Sequence, residues 1–226
     1  MRACPRNRKG SKGEAGSPRY RRHTMSGLSR ATVSRMPRYL RLLDDIRESQ
    51  STVSSGELAD AAGVNSANVR RDLSDLGFQG TRGVGYSVSD LRARIKKELG
   101  IDGRRSVAII GAGNLGTALA RYSGLGQRGF DVVAIYDTDK SRIGTKVSDV
   151  VVRDARLIHA DLGEGLFDMA ILAVPAGAAQ AVADQLVKSG VSSILNFAPV
   201  RVTVPGEVPV RQVDLSTELQ ILSYYG

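Results

Sequence analysis

The chain has 226 residues, 42% of them hydrophobic and 24% charged, ordinary values for a globular protein of one large domain or two small ones. One cysteine, Cys4, and two histidines, His23 and His159, argue against a disulfide scaffold, a thiol switch and a zinc enzyme. No apolar run reaches the roughly 18 residues of a membrane span. None follows the basic start as a signal peptide requires, so a cytoplasmic protein with no membrane partner is expected.

The net charge of +9 sits in one segment. Residues 1–36 hold ten Lys and Arg and a single acid, Glu14, whereas the remainder is balanced at 22 of each. Residues 1–27 read as a disordered basic tail, because Arg, Gly, Ser and Pro with almost no aliphatics cannot bury a core. The same composition suits an arm that adds non-specific attraction to nucleic acid. Met25 offers a second start for the chain.

Residues 28–88 read as a winged helix. From Pro37 onward, Leu40, Leu43 and Ile46 recur at helical spacing. Ser54 and Glu57 form a capping-box signature, and Gly63 supplies a tight turn. Asn65 or Ser66 caps a second helix running to about Leu76, with Val69, Leu73 and Leu76 inward. Helix, glycine turn and helix make a helix-turn-helix. Ser66, Asn68, Arg70 and Arg71 are candidates for base-edge and phosphate contacts in a major groove, beside the plainer readings of a cap and a solvated basic face. Gly77, Gly80, Gly83 and Gly85 predict tight turns and a short hairpin, the wing. Arg82, Gly83 and Tyr86 are its DNA-binding candidates, Arg82 suiting a narrow minor groove. Residues 89–104 read as a linker, with a polar, basic helix over Asp90–Leu99 that Gly100 ends.

Residues 105–212 read as α/β. Val107–Ile110, Val132–Tyr136, Met169–Val174 and Ser193–Phe197 are apolar runs suited to buried parallel strands. Helices over Asn114–Tyr122 and 177–188 alternate with them, predicting a Rossmann-type doubly wound parallel sheet. Gly111-Ala112-Gly113-Asn114-Leu115-Gly116 is G-x-G-x-x-G directly between a buried strand and a helix. The first glycine permits the turn, the second lets backbone approach a pyrophosphate, and the third allows close packing of helix on strand. Asp137 ends the next strand, 26 residues after Gly111. A carboxylate there accepts from the ribose hydroxyls of NAD and repels a 2′-phosphate, with Lys140 and Arg142 close by. Residues 213–226 are helical in pattern and lie beyond the sheet.

Several stretches together resemble the Rex family of bacterial redox-sensing transcriptional repressors over residues 28–226. They are Pro37-Arg38-Tyr39-Leu40-Arg41, which opens the first helix, and Asn68-Val69-Arg70-Arg71-Asp72-Leu73 in the recognition helix. Gly80-Thr81-Arg82-Gly83-Val84-Gly85-Tyr86 forms the wing, Asn196-Phe197-Ala198-Pro199 follows a late strand, and Val213-Asp214-Leu215 begins the last helix. The resemblance implies a homodimer that binds double-stranded operator DNA when NAD+ is abundant and leaves it when NADH binds. It implies that the C-terminal helix swaps into the partner beside the nicotinamide. Arg41, Tyr122 and Asp214 match the family's sensing residues, the Asp exchanging partners between the Tyr and the Arg. The cofactor set then comprises the glycine loop, Asp137, Tyr122, Val174, Pro175, Asn196, Asp214 and Leu215.

Taken without the resemblance, Tyr122 could be plain core and Asp214 a helix cap. A dehydrogenase is the main rival reading, but an enzyme needs a proton donor near the nicotinamide. His159, read as surface, is the only histidine outside the tail. A DNA-binding protein with a structural NAD is the third reading.

Overall fold

The computed structural model describes residues 27–226; the basic tail with Cys4, His23 and Met25 lies outside them. The first unit contains α1 (Arg30–Ile46), β1 (Thr52–Val53), α2 (Ser55–Ala62), α3 (Ser66–Asp75), β2 (Tyr86–Ser87) and α4 (Val88–Glu98). Its core joins Met36, Tyr39 and Leu43 of α1 to Leu58, Val69, Leu73, Leu91 and Ile95.

The first helix starts a full two turns before Pro37. Ser29 caps it, accepting from the Thr32 N–H at 3.0 Å. Pro37 therefore lies inside the helix rather than at its opening. It forfeits one backbone hydrogen bond, and the wholly buried Met36 and Tyr39 on either side hold the helix through it. The capping box at α2 is complete: Glu57 N–H donates to Ser54 Oγ and Ser54 N–H to Glu57 Oε2. Gly63 ends α2 in the left-handed region at φ 67°, with the paired backbone bonds of a Schellman motif. The expected linker helix is more than a connector. Its polar composition hides Val88, Leu91 and Ile95, all buried in the first core.

The second unit is a seven-stranded sheet. Its strands are β3 (Arg105–Ile110), β4 (Phe130–Asp137), β5 (Lys146–Val147), β6 (Val150–Asp154), β7 (Met169–Leu172), β8 (Ser193–Asn196) and β9 (Val210–Gln212). They lie in the order β5-β6-β4-β3-β7-β8-β9, parallel apart from β5 against β6. Leaving out β5, that is the doubly wound 3-2-1-4-5-6 order, with the switch point between β3 and β7. α5 (Asn114–Arg121), α6 (Ser123–Gln127), α7 (Ile158–Gly163) and α8 (Ala176–Lys188) connect the strands. One core contains Ala108, Tyr136, Phe167 and Leu172, and another Ile109, Ile135 and Ile171. α9 (Leu215–Ser223) follows the sheet with no buried residue.

Between the two units lies a cleft of about 440 Å³, open to solvent. Leu40, Arg41, Lys96 and Leu99 line it on the winged-helix side, and Arg128 and Phe130 on the other.

Candidate functional site

The glycine loop sits at the switch point. Gly111 follows β3 at φ 105°, and a Cβ there would come within 2.4 Å of the Ala173 carbonyl oxygen. A Cβ on Gly116 would meet the Gly111 carbonyl oxygen at 1.8 Å, so α5 can lie against the loop only with glycine at that place. Gly113 differs: a Cβ would meet only Arg142 Nη1, at 3.5 Å. Space is open above the second glycine, and Gly113 caps α5 with no side-chain hydrogen bond to the first turn. Open room over unsatisfied N–H groups at a helix start is the cradle a pyrophosphate fills, and the residues present fit a dinucleotide.

Asp137 holds this loop. Its Oδ2 accepts from the Ala112 N–H at 2.7 Å and its Oδ1 from the Asp139 N–H at 2.9 Å, with Arg142 Nη1 at 3.4 Å. Burial alone would raise its carboxyl, but the hydrogen bonds from Asp139, Ala112 and Thr138 outweigh burial and hold it below the usual range. It is thus anionic and aimed at the loop. Val174 and Pro175 follow β7: Val174 Cγ1 lies 3.2 Å from where a Gly111 Cβ would be, and Pro175 is the N-cap of α8.

Asn196 departs from expectation. Its side chain is wholly buried. Nδ2 donates to the Val200 carbonyl and to Gln212 Oε1, and Oδ1 accepts from the Ala198 N–H. With donors and acceptor engaged, it shapes the 197–200 loop instead of offering its amide to a ligand. Tyr122, at 58% exposed, is not core. It joins α5 to α6, and its ring rests on Gly124, where a Cβ would come within 2.3 Å of Tyr122 Cζ. That packing is a signal only a glycine two residues after the tyrosine carries.

Asp214 caps α9, accepting from Ser216 N–H at 2.9 Å and from the Ser216 and Thr217 hydroxyls. Those bonds lower its carboxyl. Among the described residues no hydrogen bond or ion pair joins Arg41, Tyr122 and Asp214; Arg41 faces the interdomain cleft instead. Leu215 is 64% exposed, and Leu219, Leu222, Tyr224 and Tyr225 are exposed with it.

On the winged helix, Asn65 caps α3 through its side chain, 2.8 Å from the Asn68 N–H. Asn68, Arg70 and Arg71 are exposed and Ser66 is half-buried. Arg70 Nη1 lies 3.3 Å from Ser55 Oγ. The wing closes as a hairpin bridged between Thr81 and Gly85, presenting Arg82 and Gly83 to solvent. Tyr86 is the correction here. It pairs with Val53 in the small sheet and is 9% exposed, its ring against Gly80, where a Cβ would be 2.8 Å from Cζ. Alternation along the strand turns it inward, so its ring packs under the wing instead of lying on the wing's outer surface. Asp72, given no role of its own by the sequence, is buried among Thr32, Arg35 and Tyr39.

A winged helix joined to a dinucleotide-type sheet defines a class, the DNA-binding regulators that carry a nucleotide domain. Comparison with known proteins agrees. The family described as "CoA binding domain" matches residues 102–200, and "Putative DNA-binding protein N-terminus" matches 27–74. The redox-sensing transcriptional repressor Rex of Streptomyces griseus is 50% identical over 200 residues, covering 88% of this chain and 79% of that protein. Rex of Pelotomaculum thermopropionicum is 46% identical, covering 86% and 92%. Among solved structures, RSP, a Rex-family repressor, matches with TM-score 0.80 and 36% identity, covering 88% and 93%. RSP in complex with β-NAD+ and operator DNA matches with TM-score 0.81 and 37% identity, covering 88% and 92%. The chain belongs to the Rex family of redox-sensing transcriptional repressors.

Proposed function

We propose that the chain binds double-stranded operator DNA as a homodimer when free or carrying NAD+, and leaves it when NADH binds. The observation that carries this reading is the open cradle over Gly113 at the switch point, in one chain with an exposed recognition helix. RSP, over 88% of this chain, has been solved with NAD+ and operator DNA and also with NADH, which supports it. A repressor works where its operator lies, so the reading carries a cytoplasmic location.

The bound nicotinamide supplies a change of charge, cationic when oxidised and neutral when reduced. Tyr122 and a Leu215 brought by the partner close over that end of the site and strip water from it, which penalises the cation. The Gly111–Gly116 loop and Asp137 bind the part both forms share. Shifting a population from mostly open to mostly closed takes about 5.5 kcal/mol of differential affinity. The exposed apolar face of α9 supports the swap, since an isolated helix gains nothing from Leu215, Leu219 and Leu222 in water. Arg41 lines the cleft between the units, which supports its pairing with an incoming Asp214. No catalytic role is assigned. His159 Nδ1 pairs with Ser189 Oγ at 3.0 Å, just past the end of α8 remote from the glycine loop.

The test holds total nucleotide fixed and replaces NAD+ stepwise by NADH while operator binding is followed by fluorescence anisotropy. DNA is expected to leave as NADH rises. Binding unchanged at every ratio would mean that the cofactor is structural.

A further inference from the structure

The recognition helix does not rest on apolar packing alone. Asp72 lies on the inward face of α3, 2% exposed, and both its oxygens are used. Arg35 of α1 grips it bidentately, Nε to Oδ2 and Nη2 to Oδ1, each at 2.7 Å. Tyr39 OH donates to Oδ2 at 2.7 Å and Thr32 Oγ1 to Oδ1 at 3.0 Å. Thr32 in turn touches the Ser29 cap of α1. Four hydrogen bonds from three residues of one helix thus converge on one carboxylate of another. Burial by itself would raise that carboxyl, but the bonds from Arg35, Tyr39 and Thr32 outweigh it and keep it ionised.

We infer that Asp72, with Arg35 and Tyr39, is a positioning node that sets the rotation of α3 on α1, and so decides operator specificity without touching DNA. Val69 and Leu73 alone form a smooth apolar stripe that tolerates small rotations and slides. A fixed carboxylate met by a planar guanidinium does not, because two parallel bonds survive only in one orientation. Arg71 is the residue beside Asp72 and is exposed, so a turn of α3 swings it directly, and bidentate base readout depends on its direction. The same α1 continues past the node into the cleft wall at Leu40 and Arg41. The proposal rests on the DNA-binding reading of α3.

The test uses full-length protein with Arg35→Lys and Tyr39→Phe, both mild enough to keep the core filled. Affinity is measured for a palindromic operator and a scrambled duplex across a salt series, with NADH affinity and melting temperature as fold controls. The node predicts operator affinity down about tenfold or more in Arg35→Lys and less in Tyr39→Phe. Scrambled-duplex affinity, the salt slope and NADH affinity are expected to hold. A salt slope shallower by about 0.9 in Arg35→Lys, with equal losses on both duplexes, would make Arg35 a phosphate contact and overturn the node. Unchanged operator affinity in both variants, with only the melting temperature lowered, would overturn it too. Wild type that binds neither duplex would instead remove the DNA-binding reading of α3, and wild type that binds both equally would remove its sequence-specific readout, the node falling in either case.

Discussion

Two glycines three residues apart, Gly113 and Gly116, carry opposite demands. Gly116 is required by the fold, since its Cβ would strike the Gly111 carbonyl oxygen, whereas the space over Gly113 is open. Gly116→Ala is expected to lower stability by about 1–3 kcal/mol and to abolish NADH binding, because α5 must lift from the loop. Gly113→Ala is expected to lose NADH binding while melting within a degree or two of wild type. Calorimetry beside NADH fluorescence separates them, and equal melting losses would refute the distinction. The roles of these glycines were legible in the sequence because strand, loop and helix must meet in one geometry. Tyr86 and Asn196 were not, because a motif gives residue types and leaves their direction to tertiary packing. Tyr86 turns inward on a two-residue strand, and Asn196 spends its amide on Val200, Ala198 and Gln212.

Among the elements, the buried strands β3, β4, β7 and β8 announced themselves as continuous apolar runs. The edge strands β5 and β9 and the mixed strand β6 did not. β5 and β9 have only two and three residues, and Lys146, Arg153 and Arg211 interrupt the pattern of all three. The start of α1 was hidden for a different reason. Its first turns lie in the basic stretch, where charge masks Thr32 and Met36 as inward positions. α9 was legible as a helix, with Asp214 as its cap, but its apolar face is exposed and has no partner among the described residues. Truncation before Asp214 is therefore expected to leave both cores folded and the chain monomeric, with operator affinity reduced. Sedimentation of the truncated and whole chains checks this, and a dimer of the truncated chain would contradict it.

At the scale of the molecule, each unit is tied by a carboxylate held below its ordinary value: Asp72 in the winged helix and Asp137, which holds the glycine loop from the end of β4. A carboxyl lowered on folding stabilises the native state above its unfolded value, near 3.8. That contribution is lost as pH falls through the lower folded value. Stability is thus expected to be flat with respect to both groups near neutrality and to decline in acid below about pH 4. Circular dichroism from pH 7 to 2 follows it, and Asp72→Asn should flatten the winged-helix part of the curve. A stability that rose on acidification would show the opposite sign.

The unpartnered face of α9 has a consequence for gene dosage. In the proposed swapped pair each subunit would give one helix and receive one. A shortened copy ending before Asp214 would receive without giving, so a mixed pair would contain one complete site and one deprived of its closing helix. Expressed beside the whole chain, the shortened copy would spoil the switch in proportion to its abundance, as a dominant fault and not a recessive one.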